Sequence, residues 1–283
     1  MSALGFALVL AAAFCHATWN YFVKRLNAGP ELIWLFSAVT VVLYAPLAVW
    51  FARGWDAPLT GIAVIAVSAV LHLAYFVLLQ RAYRAGDLSV IYPTARATGP
   101  LLSTSFAVAF LGAPMNLQMA AGGLIVVFGV LMLTGGRGQG GGRAGVSLGF
   151  GLAVGTLIGA YTVWDARAVA IMAIPPLLLD YVSSVGRTLV LAPVARSRWP
   201  KVRALWRDHR VEVIVIAVFN PLAYILVLVA LTFTPVSYVA PIREISVLIT
   251  VLMGSFLLGE GQIARRLGWA AVILTGVAVL ATG

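Results

Sequence analysis

Long apolar runs, interrupted at short intervals by proline, glycine and charge, dominate the chain. They fall near residues 4–23, 31–52, 58–81, 88–111, 116–135, 147–166, 172–194, 211–231, 236–258 and 265–282. A hydrocarbon core about 30 Å thick, climbed at about 1.5 Å per residue, takes roughly 20 apolar residues per helix. The pattern therefore predicts an all-α integral membrane protein with ten transmembrane helices. A glycine-rich stretch from Gly135 to Arg143 sits at the midpoint and leaves five runs on each side. That divides the chain into a repeat over 1–135, a linker over 136–146 and a second repeat over 147–283.

The halves echo each other. Leu4-Gly5-Phe6 recurs as Leu148-Gly149-Phe150, and Ala45-Pro46 as Ala192-Pro193; Arg96 with Leu111-Gly112 recurs as Arg243 with Leu258-Gly259. An odd number of spans per repeat inserts the second repeat upside down relative to the first, so the expected architecture is two inverted five-helix repeats.

Composition agrees: 62% of the 283 residues are hydrophobic and 10% are charged, against about 25% charged in soluble domains. The net charge of +10 reads as lipid-facing cytoplasmic loops, with no nucleic-acid partner implied. Lys24, Arg25, Arg81, Arg84, Arg137, Arg143, Arg265, Arg266 and the cluster between Arg196 and Arg210 follow odd-numbered runs; only Arg53 and Arg167 follow even ones. The positive-inside rule then puts both termini on the non-cytoplasmic side. The start, Met1-Ser2-Ala3-Leu4, lacks the basic region of a cleaved signal, so the first run is expected to be retained. The connection 196–210 interleaves its basic residues with Trp199, Val202, Leu205 and Trp206 at helical spacing, as an interfacial amphipathic segment does. Cys15, the single cysteine, excludes an intrachain disulfide.

Ionisable side chains inside spans are expensive, which makes them candidates for a site. Arg96 lies between Tyr92-Pro93 and Gly99-Pro100, and Arg243 follows Pro241 in the corresponding run. Inverted symmetry would face the two guanidiniums across one cavity, where they suit a carboxylate, phosphate or phosphonate; pairing each with a protein acid is the competing reading. Glu244, next to Arg243, is the expected proton-coupling acid. Asp180 and Arg187, two turns apart on one face, read as a structural charge pair, direct or through water. His16, Trp19 and Asn20 form a stripe in the first run that serves either a substrate or interhelical hydrogen bonding. His72 with Tyr75, and Asn220 with Tyr224, form similar stripes, and Pro221 should kink its helix. Tyr92 and Tyr238 would complete the pocket. An aromatic cage for an organic cation is an alternative, using Trp19, Tyr92, Tyr161, Trp164, Tyr181 and Tyr238.

No enzyme motif, metal-ligand spacing or nucleotide loop is present: the midpoint glycines lack a following Lys-Ser/Thr. No cofactor or metal is expected.

The segments Tyr92 to Pro100, Val239-Ala240-Pro241-Ile242-Arg243-Glu244 and Leu257-Leu258-Gly259-Glu260 resemble motifs of the drug/metabolite transporter superfamily, in its EamA-domain branch. The first repeat departs from that pattern, since Leu111-Gly112-Ala113 lacks the acid. The resemblance implies a secondary transporter in a bacterial inner membrane, monomeric or homodimeric, moving small organic metabolites by alternating access. With the arginines it suggests anionic or zwitterionic substrates: amino acids, carboxylates or phosphonates. Flipping of a lipid-linked anion and export of organic cations or drugs are the alternatives.

Overall fold

A computed structural model of the chain describes residues 3–55, 59–111, 116–134, 141–231, 233, 245–260 and 262–282. Among them there is no strand. The helices are α1 (Ala3–Leu26), α2 (Pro30–Ala52), α3 (Leu59–Ala85), α4 (Leu88–Leu111), α5 (Leu117–Thr134), α6 (Gly141–Met172), α7 (Pro176–Ser197) and α8 (Trp199–Leu231). They are followed by α9 (Ile245–Leu252), which runs into a π-helical turn at Met253–Leu257, and α10 (Ile263–Thr282). A bilayer interior offers backbone amides no water, so an apolar run closes its own hydrogen-bond ladder and becomes a helix. Seven of the described helices are long and apolar enough to cross a membrane; α5 and the segment Ile245–Leu257 are shorter apolar helices.

Two expected boundaries move. Residues 141–146, assigned to the linker, already belong to α6, which continues to Met172 rather than ending near 166. Glycines do not stop a helix whose carbonyls have no alternative partner in lipid. The amphipathic connection is helical too, joined to the following span at His209, whose φ of −137° and ψ of 30° break the helical geometry. Trp199 sets its ring edge-on against Trp34 of α2 at 6.0 Å between centroids.

Helix contacts come in matched sets. α4 packs on α6 as α9 does on α1; α1 packs on α8 as α6 does on α3; α3 packs on α7 as α8 does on α2. The pairs α2–α7 and α5–α10 are each their own counterpart. Exchanging every helix with the one five places along thus carries the most extensive of these contacts onto one another.

Proline supplies one of these contacts. Pro221 inside α8 cannot donate to the carbonyl four residues earlier. Thr40 Oγ1 donates to that carbonyl, Ala217 O, at 2.9 Å, and Tyr44 Oη donates to Val218 O at 2.9 Å. The carbonyl that Pro221 leaves without its helical donor is therefore satisfied from α2, and the break in helical geometry within α8 lies at His209 rather than at the proline.

Small residues supply another. A Cβ at Gly276 of α10 would lie 2.7 Å from Val126 N, and one at Gly122 of α5 would lie 2.5 Å from Leu280 N. The two backbones touch. Gly276→Ala should lower stability by about 1–3 kcal/mol through overpacking, while Gly149→Ala, with open space around it, should be neutral. Thermal unfolding of the two purified variants checks this; equal midpoints would remove the backbone contact from the argument.

Candidate functional site

α1, α3, α6, α7 and α8 meet around a central cavity of about 70 Å³, lined by His16, Trp19, His72, Tyr75, Phe76, Tyr161, Asp165, Leu179, Asp180, Asn220 and Tyr224. Small-molecule sites usually offer roughly 300–1,000 Å³. In this state the space suits a few water molecules, each needing about 10–15 Å³, and a solute requires the helices to part. Two carboxylates, two imidazoles and several aromatic rings face one space.

The residues singled out in the sequence divide between lining and scaffolding. His16 and Trp19 line the cavity; Trp19 Nε1 donates to His16 Nδ1 at 3.4 Å. Asn20 is fully buried beside it and holds helices together: Nδ2 donates to His16 O at 2.8 Å, while Tyr83 Oη of α3 donates to Asn20 Oδ1 at 2.6 Å. Tyr92 Oη donates to Ser246 Oγ at 3.1 Å and ties α4 to α9. Arg96 stands in the same region, close enough for its charge to act on Tyr75 and Tyr83. Tyr238, Arg243 and Glu244 lie outside the described residues.

Asp180 and Arg187 do not form a direct pair: no ion pair within 4.0 Å joins them. Arg187, 1% exposed, instead donates to Ser37 Oγ at 3.1 Å, Ser183 Oγ at 3.0 Å and Ser184 Oγ at 2.7 Å. Its guanidinium carbon sits 4.3 Å from the centroid of the Phe76 ring. Arg187 thus fastens α7 to α2 and α3, and Asp180 is left to the cavity wall.

Asp165 was not singled out in the sequence. The run ending near 166 put it at a helix terminus, whereas α6 extends a further turn and more, so Asp165 is inside the helix and 4% exposed. Its Oδ2 lies 3.6 Å from His72 Nε2, and its Oδ1 accepts the hydroxyl of Ser68 at 2.6 Å. Tyr161, one turn before it on α6, lies against the His72 ring at 4.3 Å between centroids. The spacing of Ser68 and His72, one helical turn apart on α3, was the available signal.

At the end of the bundle carrying the basic residues lies a second polar constellation. Gly259 takes a left-handed φ of 66°, which glycine tolerates without strain, and the chain turns so that Glu260 meets the start of α4. Glu260 Oε1 accepts from Leu88 N at 2.8 Å and Oε2 from Ser89 N at 3.0 Å, capping a helix N-terminus with negative charge. Arg266, 3% exposed, donates to Glu260 Oε2 at 3.1 Å and Asp87 Oδ2 at 2.6 Å, and also to Ser89 Oγ, which in turn donates to Glu260. Lys24 of α1 joins by donating to Tyr83 O at 2.5 Å and Gly86 O at 2.6 Å. The Gly-Glu pair was visible in sequence; its partners Asp87, Ser89 and Arg266 were not.

A sequence model described as the EamA-like transporter family matches residues 3–135 and again 145–282. The chain belongs to the EamA-like transporter family. It is thus a multi-pass membrane transporter of the drug/metabolite type, built of two family segments, and the paired helix contacts follow that division. No curated protein matches the chain. A solved structure titled "Crystal structure of protein" is similar over 98% of both chains, with a TM-score of 0.58 at 15% sequence identity, a likeness of fold alone. Among the described residues of the transporter, no group of three His, Cys, Asp or Glu side chains is placed to hold a metal ion.

Proposed function

We propose that the protein is a secondary active carrier of small zwitterionic or anionic metabolites, working by alternating access around the central cavity. The observation that carries this reading is the lining itself: Asp165 and Asp180 face a space walled by Trp19, Tyr161 and Tyr224, with the charge of Arg96 acting on Tyr75 of the same wall. Carboxylates and aromatic faces suit an ammonium group, and a guanidinium suits a carboxylate or phosphonate. A zwitterion of amino-acid type satisfies both ends. On the inverted-repeat reading, 1–135 and 147–283 are the halves that rock against each other, Arg243 faces Arg96 across the cavity, and Tyr238 closes the pocket. On this reading the carrier works in a bacterial inner membrane, and the basic connections support an orientation with both termini outside.

The test is thermal stability of purified protein against anionic, zwitterionic and cationic solutes. A ligand at a hundred times its dissociation constant adds about 2.7 kcal/mol. Stabilisation by amino acids that disappears in Arg96→Ala is the expected result. Stabilisation by organic cations alone, unchanged in Arg96→Ala, would replace this reading with the aromatic cage.

A lipid-linked anion is the second reading, favoured by a surface groove of about 1040 Å³ between α2 and the amphipathic start of α8, lined by Trp34, Trp199, Trp206, Arg203 and Arg207 among others. Counterflow of a soluble amino acid in proteoliposomes separates the two, because a flippase would show none.

A further inference from the structure

We propose that His72 and Asp165 together form a proton-binding site in the wall of the cavity, and that this proton gives way to the substrate's cationic group. The coupling half rests on the zwitterion reading above; the proton half rests on geometry alone. His72 Nδ1 lies 2.9 Å from the backbone carbonyl of Ser68. A carbonyl only accepts, so Nδ1 carries a hydrogen whether the ring is neutral or charged, and in the neutral ring Nε2 is a bare lone pair. That lone pair faces Asp165 Oδ2 across 3.6 Å. The other carboxylate oxygen is occupied by the Ser68 hydroxyl at 2.6 Å, so no donor of the pair itself points into the gap. Two acceptors held opposite each other in a low-dielectric interior repel unless a proton stands between them.

The site therefore has two states. With the proton, the pair is an imidazolium beside a carboxylate, or an imidazole beside a carboxylic acid, and is neutral overall. When the proton leaves to water in the cavity, breaking its N–H or O–H bond, a neutral imidazole and a carboxylate remain, with one net negative charge. An ammonium group entering the cavity restores neutrality. One proton out for one ammonium group in conserves charge at the pair, while the zwitterion's carboxylate is met by Arg96, so the exchange as a whole carries one net positive charge outward.

The surrounding groups set the balance. From α7, the charges of Arg187 and Asp180 reach His72 and Asp165 respectively. From α4, Arg96 acts on Tyr75 beside the pair, as does Tyr161 from α6. His16 of α1 and Tyr224 of α8 line the same cavity. Because α3 precedes the midpoint glycines and α6 follows them, protonation also alters the contact between the two halves of the chain.

The proton half is tested by infrared titration of the full chain in lipid without solute. A carboxyl band should follow pH, vanish in Asp165→Asn and shift its midpoint in His72→Gln, each variant first checked for cooperative thermal unfolding. It should persist in Glu244→Gln. A titration unchanged in both Asp165→Asn and His72→Gln, or one lost only in Glu244→Gln, overturns the proposal. For the coupling half, a mixture of neutral L-amino acids is the zwitterion probe. Its apparent affinity should rise about tenfold per pH unit as the pair loses its proton, and should become flat with pH in Asp165→Asn. Binding that stays pH-dependent in Asp165→Asn overturns the coupling. No binding of the mixture at all overturns the zwitterion reading and the coupling with it, while the infrared result stands independently.

Discussion

Glu260→Ala should open the basic end of the bundle. The carboxylate caps the two leading amides of α4 and neutralises Arg266. Its loss strands a guanidinium that is 3% exposed, with Asp87 as its remaining acidic partner among the described residues. Breaking a buried ion pair from one side costs about 3–5 kcal/mol, and the lost cap about 1 kcal/mol more. The effect is directional because the two ends of the molecule are not equivalent. In the register that matches Arg96 to Arg243, Glu260 corresponds to Ala113, Arg266 to Met119, Asp87 to Thr234 and Ser89 to Val236. Every charged member of the network has an uncharged counterpart in that register. On the carrier reading proposed above, an ionic closure at this end is expected to favour the state in which this end is shut. Ala82, which is fully buried near this network, reports on it when changed to Cys in a Cys15→Ser background. Glu260→Ala should raise the rate of its modification by a polar thiol reagent at least ~100-fold, since roughly 1.4 kcal/mol corresponds to tenfold in an equilibrium and even part of this loss exceeds two such steps. An unchanged rate in a folded protein would mean that the network is structural and closes nothing.

Arg187→Ala should be the most destabilising single change in the cavity wall, by about 3–5 kcal/mol. It removes three hydrogen bonds and a cation–π contact at once and leaves a void between α2, α3 and α7. Asp180→Asn, by contrast, should leave the unfolding midpoint close to that of the native protein, because no ion pair to Arg187 is lost. The comparison, read by thermal unfolding of the purified proteins, is decisive between the serine cradle and the charge pair suggested by the sequence. Equal destabilisation by the two substitutions would restore the pair.

The contrast between these sites shows where sequence patterning carries and where it stops. Apolar run lengths recovered the helices because bilayer thickness leaves the backbone few options, and the recurrence of Ala45-Pro46 and Arg96 in the second half anticipated the matched helix contacts. Boundaries failed where glycine was read as linker: α6 already includes Gly141, Gly142 and Gly145, and it runs further past Asp165 than expected, which concealed that acid. Partners across helices were not legible either. Nothing in the spacing of Ser37, Ser183 and Ser184 announces a guanidinium site, since three hydroxyls carry no charge signal and come from two helices. Asn20 shows the same limit: its stripe marked it as inward-facing, but only the position of Tyr83 decided that it joins helices rather than lines the cavity.

The glycine seam between α5 and α10 bears on how such a molecule moves. Where side chains separate two helices, rotamer changes absorb an ångström of sliding; where Gly122 and Gly276 bring backbone against backbone, no such slack exists. The seam spans the two halves of the chain; on the carrier reading proposed above it would act as a fulcrum, with displacement growing with distance from it. The cavity lies among α1, α3, α6, α7 and α8, none of which forms the seam. A small rotation at such a fulcrum would be magnified at the cavity, and the least compressible part of the fold would then be the reason that the opposite part can open.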